Sequence, residues 1–199
     1  PFKEEIYILT ESSELNEIYL YKSKKFPNNW GKEKIILKNF KCVDTTIFNN
    51  NGELFGFTQS IGDKIKNYYL RFDKNLNILE KTELEDTNEK TSRSAGHIFN
   101  KDGKYIKVCQ NCEKCYGGGL IFYEFFMNGS KTYKNKEIKR VNKENIRIDK
   151  KMLLEGIHTY NFSDNFEVID LKTRRFNIVD LIFRMINKIL KRRNYETTA

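Results

Sequence analysis

Proline is nearly missing from this chain. Of 199 residues only Pro1 and Pro27 are proline. Nothing inside the chain therefore blocks backbone pairing except Phe26-Pro27-Asn28-Asn29, a segment that suits a turn. No stretch approaches the ~20 apolar residues a helix needs to cross a bilayer, and no amino-terminal signal sequence is visible. Histidine is limited to His97 and His158, and cysteine to Cys42, Cys109, Cys112 and Cys115. The last three form C-x-x-C-x-x-C, a spacing that suits thiolate ligands of zinc or an iron–sulfur cluster. A closed site needs a fourth ligand, which only Cys42 or a histidine could supply. We therefore expect reduced cysteines, with neither metal nor cofactor; a disulfide can be drawn, but the spacing does not call for it. The glycines of Tyr116-Gly117-Gly118-Gly119 are not followed by Lys-Ser/Thr, and Leu120 to Phe126 reads as a strand. That excludes a phosphate-cradling loop, which needs a helix amino terminus there. Close backbone packing explains these glycines better.

Aromatic residues and basic charge are plentiful. There are 15 phenylalanines and 11 tyrosines, and 39% of the chain is hydrophobic. This composition argues against disorder. Net charge is +9, from 36 basic and 27 acidic residues, a balance that favours anionic partners such as acidic glycans, phosphates or a lipid surface. The lysines are mostly scattered singly, as on a solvated basic surface. No basic stripe is interleaved with aromatics in the manner of nucleic-acid stacking platforms, so nucleic acid is not an expected partner.

Short alternating runs dominate the first two-thirds of the chain and predict strands, among them Ile6–Leu9, Glu17–Tyr21 and Lys34–Leu37. A repeat follows. Ile47-Phe48-Asn49-Asn50-Asn51-Gly52 and Ile98-Phe99-Asn100-Lys101-Asp102-Gly103 share Ile-Phe-Asn-x-x-Gly at an offset of 51, and Gln59 and Gln110 keep that offset. Each unit reads as strand, tight turn, strand. Weaker copies lie at Phe2–Glu11 and Thr159–Asp170. Units of this length built from short strands predict a partial five-bladed β-propeller, the last blades of a ring; a β-sandwich is the competing architecture. The tail differs: Ile178, Leu181, Ile182, Met185, Ile186, Ile189 and Leu190 follow helical spacing, opposite Arg184, Lys188 and Lys191. We thus expect an all-β propeller domain over residues 1–175, truncated at its amino end, and a basic amphipathic helix and tail over 176–199. That helix is read either as docked on the domain or as a membrane-surface or partner-binding helix. Without a visible export signal, the cytoplasm is the favoured location.

In a propeller, polar residues at inner-strand beginnings face the ligand-binding mouth. Asp44, Arg93 and His158 hold such positions in successive units. Glycoside cleavage needs two carboxylates flanking the bond, for which Glu11 and Asp44 are the candidates, and His158 is a third acid–base candidate. Each has a structural alternative: a turn aspartate for Asp44, a packed histidine for His158 and a structural ion pair for Arg93, which could otherwise clamp a carboxylate or phosphate. Gln110, Tyr116 and Thr159 complete the expected binding set, with Tyr116 stacking on a sugar face.

Taken in order, several strings resemble one known family. They are Glu11-Ser12-Ser13 before Ile18–Tyr21, Phe26-Pro27-x-x-Trp30, Val43-Asp44-Thr45-Thr46, Ser92-Arg93-x-Ala95-Gly96, Gln110-Asn111-Cys112 with Tyr116-Gly117, and Gly156-Ile157-His158-Thr159. The family is the N-terminal domain of glucosamine inositolphosphorylceramide transferases, and the likeness runs from about residue 1 to 172. It implies a relation to five-bladed glycosidase propellers, with Asp44 in the place of the acid that tunes and orients. Glu11 matches the family's Pro-Glu-Ser motif, with Thr10 in place of proline. The family's Arg-Pro-x-Gln reads Lys107-Val108-Cys109-Gln110 here. The blade bearing a first catalytic acid is expected upstream of Pro1. The resemblance implies a carbohydrate or glycolipid ligand and a role in glycan or glycolipid assembly. Two further readings stand beside it, an active glycoside hydrolase-like enzyme and a non-catalytic scaffold acting through the C-terminal helix.

Overall fold

The computed structural model describes residues 5–12, 14–85, 88–128, 132–148, 152–163 and 165–175. Thirteen strands account for most of them: β1 (Tyr7–Ser12), β2 (Glu17–Lys25), β3 (Asn29–Leu37), β4 (Cys42–Asn50), β5 (Glu53–Ser60), β6 (Asn67–Phe72), β7 (Ile78–Glu83), β8 (Phe99–Lys101), β9 (Lys104–Asn111), β10 (Gly119–Asn128), β11 (Thr132–Asn142), β12 (Met152–Ser163) and β13 (Phe166–Arg175). They form four antiparallel sheets in chain order: β1-β2-β3, β4-β5-β6-β7, β8-β9-β10-β11 and β12-β13.

The repeated motif is a hairpin device. Asn51 and Gly52, and likewise Asp102 and Gly103, are left-handed (φ 51° and 87°, 52° and 76°), as the tightest two-residue hairpin turn requires. In both turns the motif asparagine accepts a hydrogen bond from the glycine N–H, Asn49 at 2.8 Å and Asn100 at 3.1 Å. The constant offset of 51 therefore marks equivalent turns in two neighbouring four-stranded sheets.

Three cores bind consecutive sheets to one another. Leu20 of the first sheet packs with Leu54, Leu70, Phe72 and Leu76 of the second. Phe48, Phe55, Phe57 and Tyr69 of the second meet Ile98 and Phe125 of the third, with Phe48 stacked on Phe57 and edge-on to Phe125. Ala95, Val108 and Leu120 of the third enclose Ile157 of the fourth. Each fully buried aliphatic or aromatic side chain contributes roughly 1.5–3 kcal/mol, so each sheet is held mainly by its neighbours in sequence.

The expected architecture needs correction. The described residues form four separate sheets of three, four, four and two strands, with one short 3₁₀ turn (Lys143–Asn145) and no α-helix among them. The all-β class stands, but the described residues do not show the expected partial five-bladed propeller with a C-terminal helix. A repeat period reports how many strands each unit contributes; the arrangement of sheets about an axis depends on contacts between distant surfaces, which no local spacing encodes. The helix expected at 177–193, and with it the proposed membrane-surface contact, lies outside the described residues. Amphipathic spacing states only that one face is apolar; a helix still needs a surface to bury it.

Candidate functional site

Asp44 is set apart by its backbone. Val43 pairs with Gln59 and Thr46 with Phe57, so Asp44 and Thr45 together oppose Thr58 alone. This β-bulge leaves Asp44 left-handed, at φ 53°, a conformation uncommon outside glycine and best tolerated by Asn and Asp. Bulges re-aim side chains and occur often beside functional sites. Here the Asp44 carboxylate is turned toward the third sheet, where Oδ2 accepts hydrogen bonds from Arg93 Nε and from Gln110 Nε2 (3.1 Å). The neighbouring Thr45 N–H donates to Glu11 Oε1 of β1 at 2.5 Å. One bulge thus draws a carboxylate from each of the first two sheets to the same place.

Arg93 lies in the extended segment before β8. That segment is pinned to β9 by Gln110 N–H donating to Arg93 O (2.8 Å) and Ala95 N–H to Val108 O (2.9 Å). From beneath, Lys107 Nζ and Cys109 Sγ both reach Ser92 O, at 3.4 and 3.5 Å. Burial alone would lower the Arg93 guanidinium, but its hydrogen bond to Asp44 and that residue's charge outweigh burial and hold it above its ordinary value. Gln110 is fully buried; its amide donates to Asp44 while Oε1 faces Cys112 Sγ at 3.7 Å. A buried amide engaged at both ends is a rigid floor.

Arg93 also lies 5.3 Å from the ring centroid of Tyr116, a cation–π contact. Tyr116 is 58% exposed, and its hydroxyl meets His158 Nε2 at 2.5 Å. The opposite imidazole nitrogen, Nδ1, is 3.3 Å from Asp170 Oδ2 of β13. Burial raises the Tyr116 phenol above its ordinary value, with Arg93 opposing and Asp44 adding. A second bulge makes this contact: Ile157 pairs with Leu171 and Thr159 with Asp170, leaving His158 as the extra residue. Glycine lets the strands approach. A Cβ on Gly156 would stand 2.3 Å from Gly117 O, where Ile157 N–H donates to the same oxygen at 2.7 Å. Gly117 itself is left-handed, at φ 66°.

The result is one line of contacts across all four sheets: Glu11, the Thr45 amide, Asp44, Arg93, Tyr116, His158 and Asp170, with Gln110 beneath. Thr159 enters only through its register position opposite Asp170. Neither Asp170 nor Thr45 was among the expected site residues, although Thr45 stands in the Val43-Asp44-Thr45-Thr46 string. Asp170 is one acidic residue in an alternating strand, and only the register of β13 against β12 brings it to His158. The cysteines take different surroundings, Cys42 and Cys109 buried, Cys112 half-buried and Cys115 exposed. No group of three His, Cys, Asp or Glu side chains is placed to hold a metal among the described residues.

Residues 1–163 match the family model described as glucosamine inositolphosphorylceramide transferase 1, N-terminal. The chain belongs to that family. Within the glucosamine inositolphosphorylceramide transferase N-terminal family, it is 28% identical over 147 residues to glucosamine inositolphosphorylceramide transferase 1 of Arabidopsis thaliana. That match covers 67% of this chain and 19% of the plant protein, so the chain spans about a fifth of its relative's length. The family match takes in Glu11, Asp44, Arg93, Gln110, Tyr116, His158 and Thr159; Asp170 lies beyond its end.

Proposed function

We propose that the chain is a carbohydrate-recognising module associated with glycan or glycolipid biosynthesis. The observation that carries this reading is the line of polar and aromatic side chains drawn from four sheets onto one surface. Such a line suits a ligand rich in hydroxyls. Asp44 and Glu11 each direct one carboxylate oxygen into protein hydrogen bonds, and their second oxygens are the natural acceptors for sugar hydroxyls. Arg93 offers donors, and the exposed Tyr116 ring offers a face for a pyranose. Charge-assisted hydrogen bonds contribute about 1.5–3 kcal/mol each, so two or three of them with one stacked ring suffice for measurable binding. The relative's name describes a glycolipid transferase, which supports the ligand class. The reading assigns recognition to this chain, not the transfer itself.

Glycoside turnover is the second reading. The observation favouring it is that Glu11 is bonded to the amide of Thr45, immediately after Asp44, which brings two carboxylates together as glycoside cleavage requires.

Isothermal titration of the 199-residue chain against glucosamine, myo-inositol and a panel of methyl glycosides tests both readings. Binding by at least one sugar is expected, with Kd raised about tenfold or more by Asp44→Asn, the equivalent of ~1.4 kcal/mol. No response to any sugar overturns the proposal. Hydrolysis of an aryl glycoside that is lost in both Asp44→Asn and Glu11→Gln would replace recognition with catalysis.

A further inference from the structure

The contact between Tyr116 and His158 can be made in two ways, and they present opposite faces to a ligand. If His158 carries its proton on Nε2, the ring donates to the phenol oxygen and the Tyr116 O–H is left to point outward as a donor. If the proton is on Nδ1, then Nε2 accepts the phenolic hydrogen, and the Tyr116 oxygen is left outward as an acceptor. The choice of tautomer is therefore a choice of ligand.

Asp170 decides between them. Its Oδ2 lies 3.3 Å from His158 Nδ1, and an anion at that distance favours a proton on the nitrogen that faces it. Among the described residues no comparable anion stands at Nε2, which meets the Tyr116 hydroxyl at 2.5 Å. The arrangement is built rather than incidental. His158 is the extra residue of a bulge whose next position, Thr159, pairs directly with Asp170. The tyrosine side is held by the Ile157 N–H to Gly117 O bond and by a Gly156 with no room for a Cβ.

We propose that Asp170 is a positioning residue that holds neutral His158 in its Nδ1–H form, so that Tyr116 donates inward to Nε2 and offers its oxygen outward as a hydrogen-bond acceptor. The assignment stands on these three side chains alone; its consequence for the ligand rests on the carbohydrate reading above. With Tyr116 turned to acceptor, it joins Asp44 and Glu11 as a third outward-facing oxygen. These three oxygens call for groups that donate, namely ligand hydroxyl or amino groups, while Arg93 beside Tyr116 supplies the donors. A sugar presenting free hydroxyl or amino groups to Tyr116 is thus the favoured class.

Nitrogen-15 NMR of the histidine rings in the full chain, at a pH alkaline enough for neutral imidazole, reads the tautomer directly. His158 is expected to show a protonated Nδ1 and an unprotonated Nε2. Asp170→Asn should lose that preference, Asp170→Glu should restore it, and Tyr116→Phe should leave the Nδ1–H form in place. A wild-type ring protonated on Nε2 would overturn the assignment, as would an unchanged tautomer in Asp170→Asn. Because no sugar enters this measurement, its failure is separate from failure of the recognition reading.

Discussion

Asp44 shows how a single backbone angle can make a site. A regular strand would alternate its side chains between the two sheet faces, and Asp44 would have no route to Arg93. The left-handed bulge supplies one, at a strain cost of about 1–3 kcal/mol that the surrounding structure must hold. Asparagine tolerates the same left-handed angle, so Asp44→Asn isolates the charge from the backbone. Gly156 tests the opposite face of the site. A Cβ there would meet the backbone carbonyl of Gly117 at 2.3 Å, and a backbone atom does not yield as the end of a flexible side chain does. Gly156→Ala should cost about 1–3 kcal/mol, the usual penalty of overpacking, and should separate Tyr116 from His158. Urea unfolding gives the first number, and the nitrogen-15 shift of His158 Nε2, which moves when the Tyr116 hydroxyl no longer donates to it, gives the second.

At the scale of the element, the two hairpins of the repeat are a controlled comparison within one chain. Asn49 and Asn100 make the same bond to Gly52 and Gly103 across turns with the same left-handed pair. Replacing either asparagine with alanine should cost about 0.5–1.5 kcal/mol, the net worth of one hydrogen bond. The two losses should agree within a few tenths of a kcal/mol, and any departure from their sum in the double mutant measures the coupling carried by the Tyr105 hydroxyl to Asn50 bond between the hairpins. Chemical denaturation of the three variants checks this, and a large excess at one turn would show that the motif does different work in the two sheets. The strands following those turns diverge even though their spacing is kept. Gln59 and Gln110 stand at the same place in the repeat, yet Gln59 bonds to Asn67 and the Glu89 carbonyl, whereas Gln110 reaches Asp44.

For the whole molecule, stability rests on the cores between consecutive sheets, and one of them carries a titrating group. Tyr69 is 4% exposed within the aromatic core, and its hydroxyl has no hydrogen-bond partner among the described residues. Burial, reinforced by Glu80, pushes its phenol up to about 12, against ~10 in an unfolded chain. The folded state therefore keeps the proton that the unfolded state releases. The stability linked to Tyr69 is intact below pH ~10 and is lost as the pH rises toward 12, by about 2–3 kcal/mol in all. Tyr69→Phe should be neutral or mildly stabilising at pH 7, since it removes a buried hydroxyl. It should also flatten the alkaline loss relative to wild type, measured as the urea midpoint across pH 9–12. An unchanged slope would place the alkaline titration elsewhere, for example at Tyr160, also raised to about 12 by burial and Glu167.

Much of this organisation was legible in the chain itself. Near-absence of proline, alternating aromatic runs and the Ile-Phe-Asn-x-x-Gly pair determined an all-β protein of repeated hairpins, because turn chemistry and strand alternation are local. The same spacing brought Asp44, Arg93 and His158 to notice, since equivalent positions in a repeat occupy equivalent places in successive sheets. Tertiary structure alone decided the rest. It showed that the described sheets number three, four, four and two strands, without the expected partial propeller and helix, because the arrangement of sheets about an axis depends on distant surfaces. It placed Asp170 against His158 and the Thr45 amide against Glu11, because register shifts at two bulges re-aim side chains in ways no periodicity records. The candidate ligand groups were readable from residue type and position; their arrangement into one line, from Glu11 to Asp170, required strands from four sheets to meet.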